Sequence, residues 1–294
     1  MTRHHLWRWV RRVGTATFVF ALLLAGYVYV ASERVLHREY EAALPEIDVP
    51  NDSASIAEGG RLIAIRGCSG CHGDELQGRV FQDNFEARIV APNLTRVAAE
   101  SSAGELARAV RQGVRANGEG LWQMPSPMYY HLTDGDIGRI IAFLRAAPMV
   151  EEGFDYQFRP GPLVRWGMMT GDWWAIPDDV RALGPRMPEP DPTDTLVYGE
   201  YLARTSCTEC HGGELEGGGS APDLAIALAY SFDDFTRLMR TGAALGDREL
   251  PRMSGIARRR FSVFTNAELR VLYAFLQERA KSVPSPSDLT SASS

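Results

Sequence analysis

The chain has 294 residues, 45% of them hydrophobic, a length that predicts about two domains. Its formal net charge is −6, with a single lysine, Lys281, among its 31 basic residues, and nothing in the sequence gives that arginine bias a function. Residues 1–32 hold four arginines and no acid, so the rest of the chain carries close to −10, and an acidic surface of that size argues against nucleic acid as a partner.

Residues 13–32 (VGTATFVFALLLAGYVYVAS) contain no charge. As a helix they reach about 30 Å, the thickness of a bilayer's hydrocarbon core. Arg3, Arg8, Arg11 and Arg12 precede the stretch, and Trp7, Trp9, Tyr27 and Tyr29 fall where interfacial aromatics gather. His4, His5 and His37 flank it as further interfacial residues. The positive-inside rule keeps a stub within residues 1–32 cytoplasmic and puts everything after residue 32 outside, on the periplasmic side of a bacterial inner membrane. Val30-Ala31-Ser32 also reads as a cleavage site, but the apolar run exceeds the roughly 7–15 residues of a cleaved signal, so a retained anchor is favoured.

A short connector, residues 33–52, leads into an internal repeat. Gly60 through Cys68 aligns with Gly199 through Cys207, and Gly73-Asp74-Glu75-Leu76-Gln77-Gly78 with Gly212-Gly213-Glu214-Leu215-Glu216-Gly217. Ala91-Pro92-Asn93-Leu94 then matches Ala221-Pro222-Asp223-Leu224, after a loop nine residues shorter in the second copy. Capping-box spacing at Ser55/Glu58, Ser102/Glu105 and Thr265/Glu268, with weaker versions at Thr133/Asp136 and Ser231/Asp234, predicts helix starts. Ile137, Ile140, Ile141 and Leu144, like Leu269, Leu272, Tyr273 and Leu276, have the spacing of an inward-packing helix. No alternating run looks like a strand of a sizeable sheet, and the expected class is all-α with long loops.

Both copies contain Cys-x-x-Cys-His: Cys68, Cys71 and His72 in the first, Cys207, Cys210 and His211 in the second, which uses all four cysteines. That is the signature of covalent c-type haem attachment. Two thiols at this spacing form thioethers to the two vinyl groups of one haem, and the adjoining histidine is placed to bind iron. A Cys₄ zinc site and a redox Cys-x-x-Cys that happens to precede a histidine are the competing readings, but zinc ligand pairs lie closer than the 139 positions separating these, and a thioredoxin-like motif needs no second copy. Two covalently bound haem c groups are therefore expected.

A helix entering Cys-x-x-Cys-His, a loop over one haem face, a middle helix, a methionine-bearing loop and a last helix together resemble class I cytochrome c. The resemblance covers residues 53–148 and 194–281 and implies two tandem class I cytochrome c domains behind one N-terminal transmembrane helix. It places Gly60 and Gly199 where the first and last helices of each domain cross, with Phe143 and Phe275 packing there.

The sixth iron ligand separates carriers from enzymes, and methionine opposite histidine is the pattern that raises the potential. Met124 and Met128 are the candidates in the first copy, Met239 and Met253 in the second. Met124 and Met253 each lie thirteen residues after an arginine of an Arg-x-Gly run, Arg111 and Arg240, whereas Met128 and Met239 have no partner at equal spacing. Met124 and Met253 are thus the predicted ligands. His131 reads as a surface or capping residue, and Pro92-Asn93 and Pro222-Asp223 read equally as turn chemistry or as groups orienting the histidines.

Residues 149–193 are rich in proline and carry Trp166, Trp173 and Trp174, too much apolar surface for a mobile tether, so core packing is favoured for the tryptophans over a role in carrying electrons. Arg258-Arg259-Arg260 reads as a solvated loop, or as a group meeting an acidic partner or a propionate. Residues 282–294 are Ser- and Pro-rich and read as a disordered tail. The functional expectation is a membrane-anchored dihaem carrier of single electrons with no catalytic residues. It is similar to the cytochrome subunits of membrane-bound alcohol and gluconate dehydrogenases, which commonly have three motifs. Its expected partners are periplasmic or membrane redox proteins: a dehydrogenase, a quinol-oxidising complex or an oxidase. A dihaem peroxidase or thiosulfate-oxidising enzyme would need an open or unusual axial position, and a terminal-oxidase subunit would share the carrier chemistry with a different partner.

Overall fold

The uncharged N-terminal stretch forms one long helix, α1 (Arg3–Leu36), in a computed structural model that describes residues 3–219 and 221–282. Over Trp7–Leu36 it is long and apolar enough to cross a membrane. Helix α1 runs four residues past the predicted anchor boundary at residue 32, because its end packs on protein. Ser32 is fully buried there, donating to the Tyr29 carbonyl at 2.9 Å and accepting from Arg165 at 2.8 Å. The predicted tail from residue 283 onward lies outside the described residues.

Helix α2 (Ser53–Arg66) begins at Asp52, whose carboxylate accepts the Ser55 N–H at 2.9 Å. The box predicted from Ser55 to Glu58 does not form, since a carboxylate three residues earlier is a strong cap that also suits the positive helix end. Glu58 pairs with Arg61 instead. One turn, α3 (Ser69–His72), follows, then strands β1 (Arg79–Asp83) and β2 (Ala87–Ala91). Asn93 caps α4 (Leu94–Glu100), and Ser102 with Glu105 forms the predicted box at α5 (Ala103–Gln112). The single turn α6 (Ser126–Tyr129) precedes α7 (Asp134–Ala146), capped by Thr133.

The connection is structured. It supplies β3 (Gln157–Pro160), α8 (Pro162–Thr170) and α9 (Ile176–Ala182). Strands β1, β2 and β3 make an antiparallel sheet in that order, with Ile89 opposite Phe158. The all-α expectation holds for the mainly helical body and misses this sheet, whose first two strands come from the extra residues of the first loop and whose third comes from the connection. Ile89, Phe158 and Trp122 share a second, smaller core with Tyr40, Val164 and Met168, and Trp122 stacks on Phe158 with ring centroids 5.0 Å apart.

Residues 195–282 return to the order of the first copy. Helix α10 (Thr195–His211) carries the second motif at its end, and α11 (Phe232–Thr241) is the middle helix. A small hairpin of β4 (Ala243–Ala244) and β5 (Arg248–Glu249) leads to α12 (Met253–Arg260) and the last helix, α13 (Asn266–Ser282). The three arginines 258–260 therefore end a helix rather than sit in a loop.

First and last helices cross closely in each copy, but at Gly59 rather than the expected Gly60 in the first. A Cβ on Gly59 would stand 1.9 Å from the Arg139 carbonyl oxygen, and one on Gly199 2.3 Å from that of Val271. Gly60 faces only the Phe143 ring, at 2.7 Å. The offset has a local cause. Helix α2 stops at Gly67, in the left-handed region at φ 75°, before Cys68, whereas α10 runs unbroken through Cys207. The break inserts one residue between crossing and motif, and glycine adopts that conformation without steric cost.

Aligned on the crossings, the copies contact each other reciprocally. Arg61 of α2 forms two hydrogen bonds to Glu268 of α13, at 2.7 and 2.8 Å. The positions equivalent to these two are Tyr201 and Asp136, and the Tyr201 hydroxyl donates to Asp136 at 2.5 Å. Such exchange of equivalent contacts is the property of an isologous interface.

Candidate haem-binding sites

The motif segments fold alike in both copies although the helices before them differ. After each histidine the chain turns back, with Gly78 N–H donating to the His72 carbonyl and Gly217 N–H to that of His211, both at 2.7 Å. Leu76 and Leu215 then adopt left-handed backbone, at φ 61° and 64°, and both side chains are buried. A leucine rarely sits there, so the packed side chain holds the turn in a strained form. These two residues were visible in the sequence as the shared Glu-Leu-x-Gly run, without a sign of their backbone.

The turn brings a proline carbonyl to each histidine. His72 Nδ1 donates to Pro92 O and His211 Nδ1 to Pro222 O, each at 2.8 Å. A carbonyl can only accept, so Nδ1 carries a proton, and in the neutral ring that leaves the lone pair on Nε2 for a metal. Both readings of the neighbouring residues hold together. Asn93 is fully buried and caps α4 through Thr95 and Arg96, and its Nδ2 donates to Val150 O at 2.7 Å. Asp223 caps the following 3₁₀ turn and pairs with Arg279 at 2.7 Å. The caps fix the loop; the prolines face the imidazoles.

All four cysteines are free thiols. Burial pushes the thiols of Cys68 and Cys207 up to about 11 each, against the opposing pull of Arg260 and Arg66 in both cases. Burial also lowers the His72 pKa, with the Pro92 bond acting the other way, so its imidazole is neutral and competent to bind metal. No group of three or more His, Cys, Asp and Glu side chains converges on a common metal position among the described residues. Paired thiols, an imidazole oriented through Nδ1 and no disulfide fit a haem c attached through Cys68 and Cys71 with His72 as ligand. Paired thiols and an imidazole oriented in the same way recur at Cys207, Cys210 and His211.

Met124 lies in the loop before α6, and Met253 is the first residue of α12. Both are half-buried at the margin of the main core, as are Cys68 and Cys207, whereas Met128 and Met239 are buried within it. A buried serine beyond each marginal methionine ties its loop to the middle helix: Ser126 donates to the Ala109 carbonyl at 3.2 Å, and Ser254 to that of Gly242. Arg111 and Arg240 brace the same region. Arg111 lies 2.6 Å from Asp134, off the line of a hydrogen bond, and Arg240 bonds to Ser262 O and, at 3.0 Å, to Asn266, the residue equivalent to Asp134. His131 accepts the Met187 N–H at 3.0 Å and so fastens the connection to the first copy.

One side chain joins the two motif segments. Arg260 donates from Nε to Ile65 O at 3.0 Å and from Nη2 to Ser206 O at 3.5 Å, and its Nη1 lies 3.3 Å from Glu209. Arg66, almost wholly buried, donates to Ser206 Oγ and keeps Nε and Nη2 without a hydrogen-bond partner, Nη2 standing 4.0 Å from Asp136. Sequence reasoning missed both arginines as a unit, because they are brought together only by the packing of one copy on the other.

Residues 56–148 match the family model for Cytochrome c, and a class I cytochrome c domain stands in that part of the chain. The family implies covalently bound haem c and an electron-carrying role. No match was found among curated proteins.

Proposed function

We propose that the protein is a membrane-anchored dihaem cytochrome c that passes single electrons between periplasmic redox partners of a respiratory or dehydrogenase-linked chain. In this reading residues 194–281 form a second haem domain, Cys68, Cys71, Cys207 and Cys210 bind two haem c groups, and the axial pairs are His72 with Met124 and His211 with Met253. Haem c supplies a one-electron iron couple when bound. The chain's own work is to fix the imidazoles, hold the methionine loops and keep the two motif segments together. Helix α1 supports the anchor, and its flanking arginines support the periplasmic address.

The observation that carries the reading is the identical His Nδ1 to Pro carbonyl bond, 2.8 Å in both copies, which supports both histidines as ligands through Nε2. Intact mass and haem staining of the exported protein test the count. Two haems are expected in the unmodified chain and one in a Cys207→Ala, Cys210→Ala variant; two haems retained in that variant would remove the second site. Gentle solubilisation with identification of co-purifying redox proteins tests the partner.

A further inference from the structure

The tryptophans of the connection are not in a core: Trp166 is 49% exposed, Trp173 40% and Trp174 50%. Helix α8 turns Val164, Gly167 and Met168 inward. Leu163 and Trp166, at i and i+3, face outward, Leu163 being 68% exposed. Between them Arg165 reaches α1, pairing with Glu33 at 2.7 Å, donating to Ser32 Oγ at 2.8 Å and lying 4.5 Å over the Tyr29 ring. These partners mark the level at which the uncharged run of residues 13–32 ends and the first charge, Glu33, appears.

A third apolar group stands beside them. The turn between β1 and β2 carries Phe85, 73% exposed, and Gly161, immediately before α8, donates its N–H to Glu86 O at 2.7 Å. Phe85, Leu163 and Trp166 thus crown the protein surface around the exit of α1. The charge of Arg165 is already met by Glu33, so this helix carries no unpaired cation that must reach for water. Exposed Trp, Phe and Leu next to a helix leaving the hydrocarbon core match the composition of the headgroup layer, where an indole places its ring among acyl chains and its N–H among polar groups.

We propose that this face is a membrane-contact surface: Phe85, Leu163 and Trp166, with Trp173 at the flank, rest in the headgroup region of the bilayer that α1 crosses. The proposal rests on the anchor reading of α1. The first copy is then held against the membrane in one orientation by protein on lipid, rather than swinging from the end of its anchor.

The test replaces Leu163, Trp166 or Phe85 singly with the photoreactive benzoylphenylalanine in the full-length holoprotein, reconstituted into vesicles of phosphatidylethanolamine and phosphatidylglycerol. Leu22, within α1, is the anchor control, and Leu228, exposed in the second copy, is the comparison site. An unchanged haem spectrum reports that each variant is folded, and the three sites serve as independent replicates. After illumination, intact mass should rise by one phospholipid at Leu163, Trp166 and Phe85, with yields within about threefold of Leu22 and at least about tenfold above Leu228. Lipid adducts at Leu22 but not at the three surface sites would overturn the contact surface and leave the anchor standing. No lipid at Leu22 would remove both, and adducts to a second protein at the surface sites would replace the bilayer with a protein partner.

Discussion

Arg66 and Ser206 occupy equivalent positions in the two copies, and they bond to each other. A pair of that kind sits on the local axis of an isologous contact, where each copy meets its own counterpart. The arginine is almost wholly buried and incompletely satisfied, while the serine opposite is small enough to leave it room. An arginine in both places would set two buried cations against each other. The duplicated halves have diverged where identity would be most costly.

The reciprocal pair away from that axis carries a pH dependence. Burial pushes the Glu268 carboxyl up, but the bonds from Arg61 and the Thr265 N–H outweigh it and hold the group below its ordinary 4.5. A depressed carboxylate stabilises the fold above its unfolded pKa, and that stability is lost as pH falls through the folded value. Stability should therefore decline below about pH 4.5, and Glu268→Gln should flatten that part of the acid limb. At pH 7 the substitution should cost about 1 kcal/mol, since Arg61 loses one of its two carboxylate partners and keeps its pair with Glu58. Thermal unfolding followed across pH would show both effects, and a variant as stable as the parent at pH 7 would mean the pair is solvated.

Arg260 places one positive charge against both motif segments, so it should raise both reduction potentials. Arg260→Ala is expected to lower the two together by tens of millivolts, about the size of one partly buried charge acting over a protein radius. Arg260→Lys should recover much of the shift while losing the hydrogen bonds to Ile65 and Ser206. Potentiometric titration reads this directly, and a change confined to one haem would show that the charge serves one site only.

The crossing glycines make an asymmetric prediction. Gly59→Ala sets a methyl group against the backbone of α7 and should destabilise by about 3 kcal/mol, as overpacking against an immovable group does. Gly60→Ala meets only the Phe143 ring, which can turn aside, and should cost about 1 kcal/mol. Chemical denaturation of the two variants would separate them; equal losses would contradict the one-residue offset at Gly67.

Replacing Met124 or Met253 should remove part of the thioether-to-iron charge-transfer band in the oxidised near-infrared spectrum and lower that haem's potential, because a thioether favours the ferrous state. Replacing Met128 or Met239 should leave the band intact. A high-spin signal from the unmodified protein, with rapid turnover of peroxide, would transfer the protein to the enzyme class.

What the sequence made legible was local. Thioether spacing, the uncharged run of α1 and the caps at Ser102, Thr133, Ser231 and Thr265 all depend on residues a few positions apart, and each is present as a motif or an element. The sheet was not legible because β2 finds its second neighbour in β3 some seventy residues later, and a five-residue strand has no periodicity strong enough to announce itself. Gly59 was missed for Gly60 because alignment on the cysteines hides a residue absorbed at Gly67. The tryptophans were assigned to a core on composition, which does not say where a side chain points, and all three stand exposed.

The third strand of the first copy's sheet has a practical consequence. The segment recognisable as a cytochrome c domain ends at residue 148, but β2 receives its outer partner from residues 157–160. A fragment cut at the recognisable boundary would present a bare strand edge together with Ile89 and Trp122 stripped of Phe158. Open edges of that kind recruit other chains, so such a fragment would tend to aggregate rather than report on the isolated domain. The excisable unit reaches at least to the end of α9, at Ala182.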